Sequence, residues 1–157
     1  MDIRDLAFIE SHYVKVMFYP RAWDDAQDFD LVWDNIDFPP MPRALIPKSP
    51  GVYAFIVEPN LFSLEPANGL FYVGKATNLY QRIGAYMSEL TKDFSVSTRP
   101  RIWKMLNQWR GRFKYYYTIT DTVAEAEQLE KVMLEALRPP FNKQYEAETS
   151  QIMRAFQ

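Results

Sequence analysis

No cysteine occurs in the 157 residues, and there is one histidine, His12. Disulfides, thiolate nucleophiles and zinc sites built from Cys and His are thereby excluded, so any metal this chain holds is held by oxygen. His12 lies outside every cluster of interest and reads as incidental. No apolar run approaches the roughly 20 residues that cross a bilayer, and the N-terminus, Met1-Asp2-Ile3-Arg4-Asp5, is charged from its second residue. A soluble, cytoplasmic protein with no signal peptide and no membrane partner is expected. An excess of positive charge is also lacking, since the formal net charge is −2.

That average conceals an asymmetry. The first 42 residues carry nine acidic and three basic side chains, and the remainder eleven acidic and fifteen basic. Between Lys92 and Lys114 the cations Lys92, Arg99, Arg101, Lys104, Arg110, Arg112 and Lys114 face only Asp93. Such a strip suits phosphates, and Arg99, Arg101, Lys104, Arg110, Arg112 and Lys114 are the candidate DNA contacts, through the backbone rather than base edges. Trp103, Trp109 and Phe113 interleave with these cations, but the helical spacing of Ile102, Leu106 and Trp109 assigns the aromatics to the core.

A hydrophobic content of 48% argues for a folded globule. An apolar segment, Tyr13 to Tyr19, is followed by an acidic, aromatic stretch from Trp23 to Asp34. Pro39, Pro40, Pro42, Pro47 and Pro50 then read as a linker, which divides the chain into an extension (1–49), a core domain (50–145) and a tail (146–157). Val52 to Val57 and Leu70 to Val73 read as strands paired antiparallel across a turn at Pro66 to Gly69, and Phe113 to Ile119 as a third. Alternation places Tyr53, Phe55 and Val57 on one face and Val52, Ala54 and Ile56 on the other. Thr77 or Asn78 can cap a helix running to about Leu90, and Ser97 or Thr98 another with Pro100 in its first turn. Thr122 and Glu125 match a capping box that opens a helix ending before Pro139.

On that last helix, Ala126, Leu129, Met133 and Leu137 form an apolar stripe, and Glu130 falls within it. A carboxylate turned toward a core is destabilising unless compensated, either by a buried arginine or by a metal. One carboxylate, with waters and a substrate phosphate, is a common way to hold Mg²⁺. Arg82 and Tyr86, four apart on the helix that runs to about Leu90, present a cation beside a phenol. Arginine's planar fork matches phosphate oxygens, and Lys75 can add a second positive contact. Gly74-Lys75-Ala76-Thr77 does not make a nucleotide-binding loop, which needs a longer glycine-rich segment ending in Gly-Lys-Ser/Thr.

Together these residues resemble the GIY-YIG nuclease family. Gly51-Val52-Tyr53 and Tyr72-Val73-Gly74 match its two tyrosine motifs with Val in place of Ile, and Arg82 and Tyr86 follow Tyr72 at the family's spacing. Glu130 fits the family's metal-binding glutamate, and Arg138-Pro139-Pro140-Phe141-Asn142 resembles the stretch that ends in its late asparagine. The resemblance covers about residues 50 to 145 and implies an α/β (α+β) domain with a small central three-stranded sheet flanked by helices. It further implies metal-dependent hydrolysis of DNA. In that chemistry one Mg²⁺ or Mn²⁺ per active site sits on Glu130, Arg82 stabilises the charged phosphorane, and Tyr53 or Tyr72 orients or deprotonates the attacking water. Lys75 and Asn142 would support the site, and Tyr86 would contact phosphate or water.

The expected protein is thus a compact, single-domain endonuclease whose specificity comes from homodimerisation or from a protein partner. A DNA- or partner-binding module of the same fold without hydrolysis is the rival reading. In a third, the acidic N-terminal segment competes with DNA for the basic strip.

Overall fold

The computed structural model describes residues 29–58 and 69–142, with Ala26. The segment 13–19, His12, the 66–68 turn and the 146–157 tail lie outside the described residues. The mixed α+β fold is built on an antiparallel sheet of strands β1 (Asp34–Asp37), β2 (Gly51–Val57), β3 (Gly69–Ala76) and β4 (Phe113–Ile119), in the order β1-β4-β2-β3. Helices α1 (Leu79–Thr91) and α2 (Pro100–Gln108) follow β3, and α3 (Val123–Leu137) follows β4.

The sheet has four strands, not the three expected. The added strand is Asp34-Asn35-Ile36-Asp37, which pairs with Lys114 to Tyr117 of β4. Asp and Asn have poor strand propensity, and an acidic tetrapeptide carries no alternating pattern to announce it. It forms because β4 offers an unpaired edge, and a short charged strand is a usual way to close one.

Alternation sorts the core as the sequence predicts. Tyr53, Phe55 and Val57 pack on the α1 and α2 side with Leu79, Ile83, Tyr86 and Leu106, whereas Val52, Ala54 and Val73 pack under Ala126, Leu129 and Leu134 of α3. Trp103 and Phe113 are buried, and the Trp109 ring lies edge-on to Phe71 at 5.1 Å, so the aromatics of the basic strip are indeed core.

The proline-rich segment does more than link. Phe38 and Ile46 are buried in the larger core. Ser49 and Pro47 carbonyls accept the Leu79 and Tyr80 N–H groups, each at 3.0 Å. Asn78 then takes the next two, Gln81 N–H on its side-chain oxygen and Arg82 N–H on its carbonyl, both at 3.0 Å. The first three amides of α1 thus find partners outside its ladder, and Arg82 N–H makes its first intrahelical bond. Arg43 completes the attachment by donating Nε and Nη2 to the Tyr80 carbonyl, 3.0 and 2.5 Å, with its guanidinium over the Tyr80 ring. Gly84 makes room for it, because a Cβ there would lie 2.2 Å from Nη2.

Of the expected caps, Asn78 and the Thr122–Glu125 box are present. The N-cap of α2 is Arg99 without a side-chain cap, not Ser97 or Thr98. The Ser97 hydroxyl is engaged by Glu89 instead.

Candidate active site

The two glycines of the tyrosine motifs are required by close approach. Gly51 pairs with Ile119 on β4, and a Cβ on it would meet the Thr118 carbonyl oxygen at 2.2 Å. Gly74 lies within β3, not at its end, and pairs with Tyr53. A Cβ there would fall 2.4 Å from the Tyr53 hydroxyl, so the absent side chain is the space in which the phenol lies.

Tyr53 is fully buried, and its hydroxyl is 2.7 Å from that of Tyr86 and accepts Arg82 Nε–H at 2.9 Å. Burial, then the neighbouring Tyr86 and Tyr72, push the Tyr53 pKa well up, with Arg82 opposing. Tyr53 is therefore a neutral phenol that fixes the guanidinium. Tyr86 is equally closed to solvent, so it does not face phosphate or water as expected. Its hydroxyl also accepts from Arg99 Nη2 at 3.3 Å. Tyr72, whose ring stacks at 6.3 Å on that of Tyr53, is only partly buried and opens onto a cavity. Burial and Tyr86 raise its pKa, while Arg99 and Arg82 pull it down.

β3 is an edge strand, and the site wraps around that edge. Four outward backbone groups of its alternate residues find a partner from elsewhere in the chain. Phe71 C=O accepts Phe141 N–H at 3.1 Å. Val73 donates to Asn142 Oδ1 at 3.0 Å and accepts from Asn142 Nδ2 at 2.6 Å. Lys75 N–H is taken by Glu130 Oε1 at 3.1 Å. Thus Glu130 and Asn142, distant in sequence, are brought to one strand by its need for partners.

The cavity, about 880 Å³, is lined by Tyr72, Lys75, Arg82, Arg99, Arg101, Glu130 and Asn142, among others. Side chains reach it from both faces of the sheet. Burial raises the Glu130 pKa, with the Lys75 amide and charge opposing. Among the described residues its Oε2 accepts no hydrogen bond and no arginine lies at ion-pair distance, although the charge of Arg82 also lowers its pKa. A half-buried carboxylate with one oxygen still open fits a cation. Among the described residues no three His, Cys, Asp or Glu cluster together, so an ion there would be completed by water and phosphate, as suits Mg²⁺. Lys75 Nζ is 2.6 Å from Glu127 in an exposed pair.

The family model for the UvrC-like GIY-YIG domain matches residues 49–143. The chain belongs to the UvrC-like GIY-YIG family. UvrABC system protein C of Neisseria gonorrhoeae is 38% identical over 97 residues, 62% of this chain and 13% of that protein. Those of Frankia casuarinae and Mycobacterium marinum are 32% and 30% identical over 117 residues, 74% of this chain, and 14% and 16% of their own lengths. The chain thus spans 13–16% of these relatives. The magnesium-bound N-terminal endonuclease domain of UvrC from Thermotoga maritima aligns over 65% of this chain and 92% of that one, at 20% identity and a TM-score of 0.44.

Within this GIY-YIG domain, the basic strip divides. Arg99 and Arg101 line the cavity, while Lys104, Arg110, Arg112 and Lys114 do not. Lys114 Nζ is 2.8 Å from Asp37 of β1. Sequence reasoning missed Glu89, which is buried on α1. A signal existed: Glu89 lies seven residues after Arg82, two turns along the same edge of the helix. No helix among the described residues is long and apolar enough to cross a membrane.

Proposed function

We propose that this GIY-YIG domain hydrolyses phosphodiester bonds in DNA with one Mg²⁺ or Mn²⁺ held on Glu130. The observation that carries the reading is the convergence of Tyr72, Arg82 and Glu130 on one cavity, with Arg82 fixed from behind by a buried phenol. A divalent ion on Glu130 would supply positive charge beside the scissile phosphate. The chain's own groups do the rest. Arg82, with Nε tied to Tyr53, turns its remaining N–H groups to the phosphate and stabilises the charge that develops on pentavalent phosphorus.

Of the two candidate tyrosines, Tyr72 is the one that meets water. Tyr53 is sealed, and its hydroxyl is already shared between Arg82 and Tyr86. The Tyr72 hydroxyl accepts a hydrogen bond from the attacking water and aims its lone pair at phosphorus. A raised pKa keeps this phenol protonated at neutral pH, so it orients the water through its lone pair, and the water's proton passes to solvent. One water oxygen to phosphorus bond forms as one ester bond breaks, and the leaving oxygen takes up a proton from solvent. Asn142 and Lys75 support this by holding the β3 edge, and Tyr53 and Tyr86 by holding Arg82.

We further propose that DNA is the substrate and that other proteins supply specificity, rather than a homodimer of this chain. The relatives' name describes a multi-component system. The test is supercoiled plasmid incubated in Mg²⁺, Mn²⁺ or EDTA with the wild type, Tyr72→Phe, Arg82→Ala and Glu130→Gln. Metal-dependent nicking lost in all three variants is expected. Cleavage that persists in Glu130→Gln or in EDTA would overturn the reading.

A further inference from the structure

Glu89 is a carboxylate only 2% exposed, near the end of α1, and the chemistry above makes no use of it. Burial pushes its pKa up, and hydrogen bonds from Lys92 and Ser97, with the charges of Lys92 and Arg99, more than reverse this. An apolar side chain would fill the same place without a buried charge to compensate, so the retained carboxylate calls for a role.

Its contacts run toward the cavity. Oε2 accepts from Lys92 Nζ at 2.8 Å, and Oε1 from the Ser97 hydroxyl. The same Ser97 oxygen accepts Arg99 N–H at 3.1 Å. Lys92 is held from the other side, its carbonyl accepting Trp103 Nε1–H at 2.8 Å. The connection between α1 and α2 is thereby pinned at both ends, and it delivers Arg99 to the cavity wall.

Arg99 arrives beside a like charge. Its guanidinium carbon lies 4.9 Å from the centre of the Tyr86 ring and that of Arg82 lies 5.5 Å from the same centre. Neither guanidinium has a carboxylate at ion-pair distance among the described residues. Two cations that converge on one phenol repel each other, and an anion between or beside them would offset that repulsion.

We infer that Arg99 grips a phosphate of the bound strand next to the one engaged by Arg82, and that Glu89, acting through Ser97, is the positioning residue that holds Arg99 in that pose. The identity of the anion as a nucleic-acid phosphate rests on the endonuclease reading, whereas the relay from Glu89 to Arg99 stands on its own contacts. Arg99 contacts the strand in the ground state, so its loss falls on binding and KM, while loss of Arg82 falls on kcat.

The experiment is fluorescence anisotropy of a labelled duplex in EDTA across a salt series, with steady-state nicking in Mg²⁺ alongside. Arg99→Ala is expected to weaken binding roughly tenfold and to lower the log affinity against log salt slope by about 0.9. Glu89→Gln and Ser97→Ala should weaken binding in the same direction, with KM raised and kcat kept. Ser97→Thr, which retains the hydroxyl, should restore it. In the Arg99→Ala background both should add nothing. An unchanged slope in Arg99→Ala, or an equal loss from Ser97→Ala with and without Arg99, would overturn the inference. Should Glu89→Gln fail to fold, Ser97→Ala cuts the relay and leaves the Glu89–Lys92 pair in place. A plasmid that stays intact while the slope changes as described defeats the nuclease reading alone, and a cut plasmid with no slope change defeats this inference alone.

Discussion

The side-chain amide of Asn142 faces Val73 as a neighbouring strand would, accepting its N–H at 3.0 Å and donating to its carbonyl at 2.6 Å. Both bonds are buried, and they close the edge of β3 between Tyr72 and Gly74. Asn142→Ala leaves a buried donor and acceptor without partners, at about 1–3 kcal/mol each. A fall in the urea midpoint together with lost cleavage is expected. Asn142→Asp should also destabilise, since a carboxylate cannot donate to the Val73 carbonyl.

Gly74→Ala should displace the Tyr53 ring, because the new methyl would sit within 2.5 Å of both its hydroxyl and its Cζ. Both atoms belong to a rigid, buried ring, and overpacking of this kind costs about 1–3 kcal/mol. Arg82 loses its anchor in the process. Cleavage should fall by at least tenfold while the metal-free protein remains folded by circular dichroism.

Tyr53→Phe and Tyr72→Phe separate anchoring from water orientation. Removal of the Tyr53 hydroxyl takes away a buried partner of Arg82 and Tyr86, so it should lower both stability, by about 1 kcal/mol, and activity. Tyr72 lines the cavity and is only partly buried, so Tyr72→Phe should leave the melting temperature within a degree or two and lower kcat about 10²-fold. Equal loss of stability in both variants would contradict the assignment.

Glu130 links the site to pH. Its folded pKa is raised by burial above the ordinary carboxylate value of 4.5. The folded state thus binds this proton more tightly than the unfolded chain does, so Glu130's favourable contribution is present below 4.5 and is lost as pH rises through the higher folded value. Glu130→Gln keeps an acceptor for the Lys75 N–H and should melt higher than wild type at pH 7, with the gain vanishing near pH 4. Mg²⁺ should raise the melting temperature of the wild type and not of the variant.

Phe38 tests whether the segment before residue 50 belongs to the folded unit. It is 4% exposed and meets Phe55 edge-on at 5.1 Å. Phe38→Ala should cost about 3–5 kcal/mol. A chain that begins at residue 43 should lose at least as much relative to one that begins at 29, because β1 goes with it.

Much of this was legible in the sequence, and for short-range reasons. The caps at Asn78 and Thr122, the alternation along Gly51–Val57 and the position of Glu130 on the apolar side of its helix follow from local geometry within a few residues. The spacing of Tyr72, Arg82 and Tyr86 likewise sets which side chains share one helix edge. What long-range contact decides was not legible. Asp34–Asp37 has no strand signal of its own and pairs only because β4 offers an edge. Two tyrosines in equivalent motifs receive different surroundings: Tyr53, on an inner strand between β3 and β4, is sealed and bonded to Arg82, and Tyr72, on the outer strand, meets the cavity. The sequence by itself therefore determined which candidate side chains share a strand face or a helix edge. Only the tertiary structure decided which phenol is sealed and which opens onto the cavity, and which cations line it, because burial depends on what crosses a residue from elsewhere in the chain.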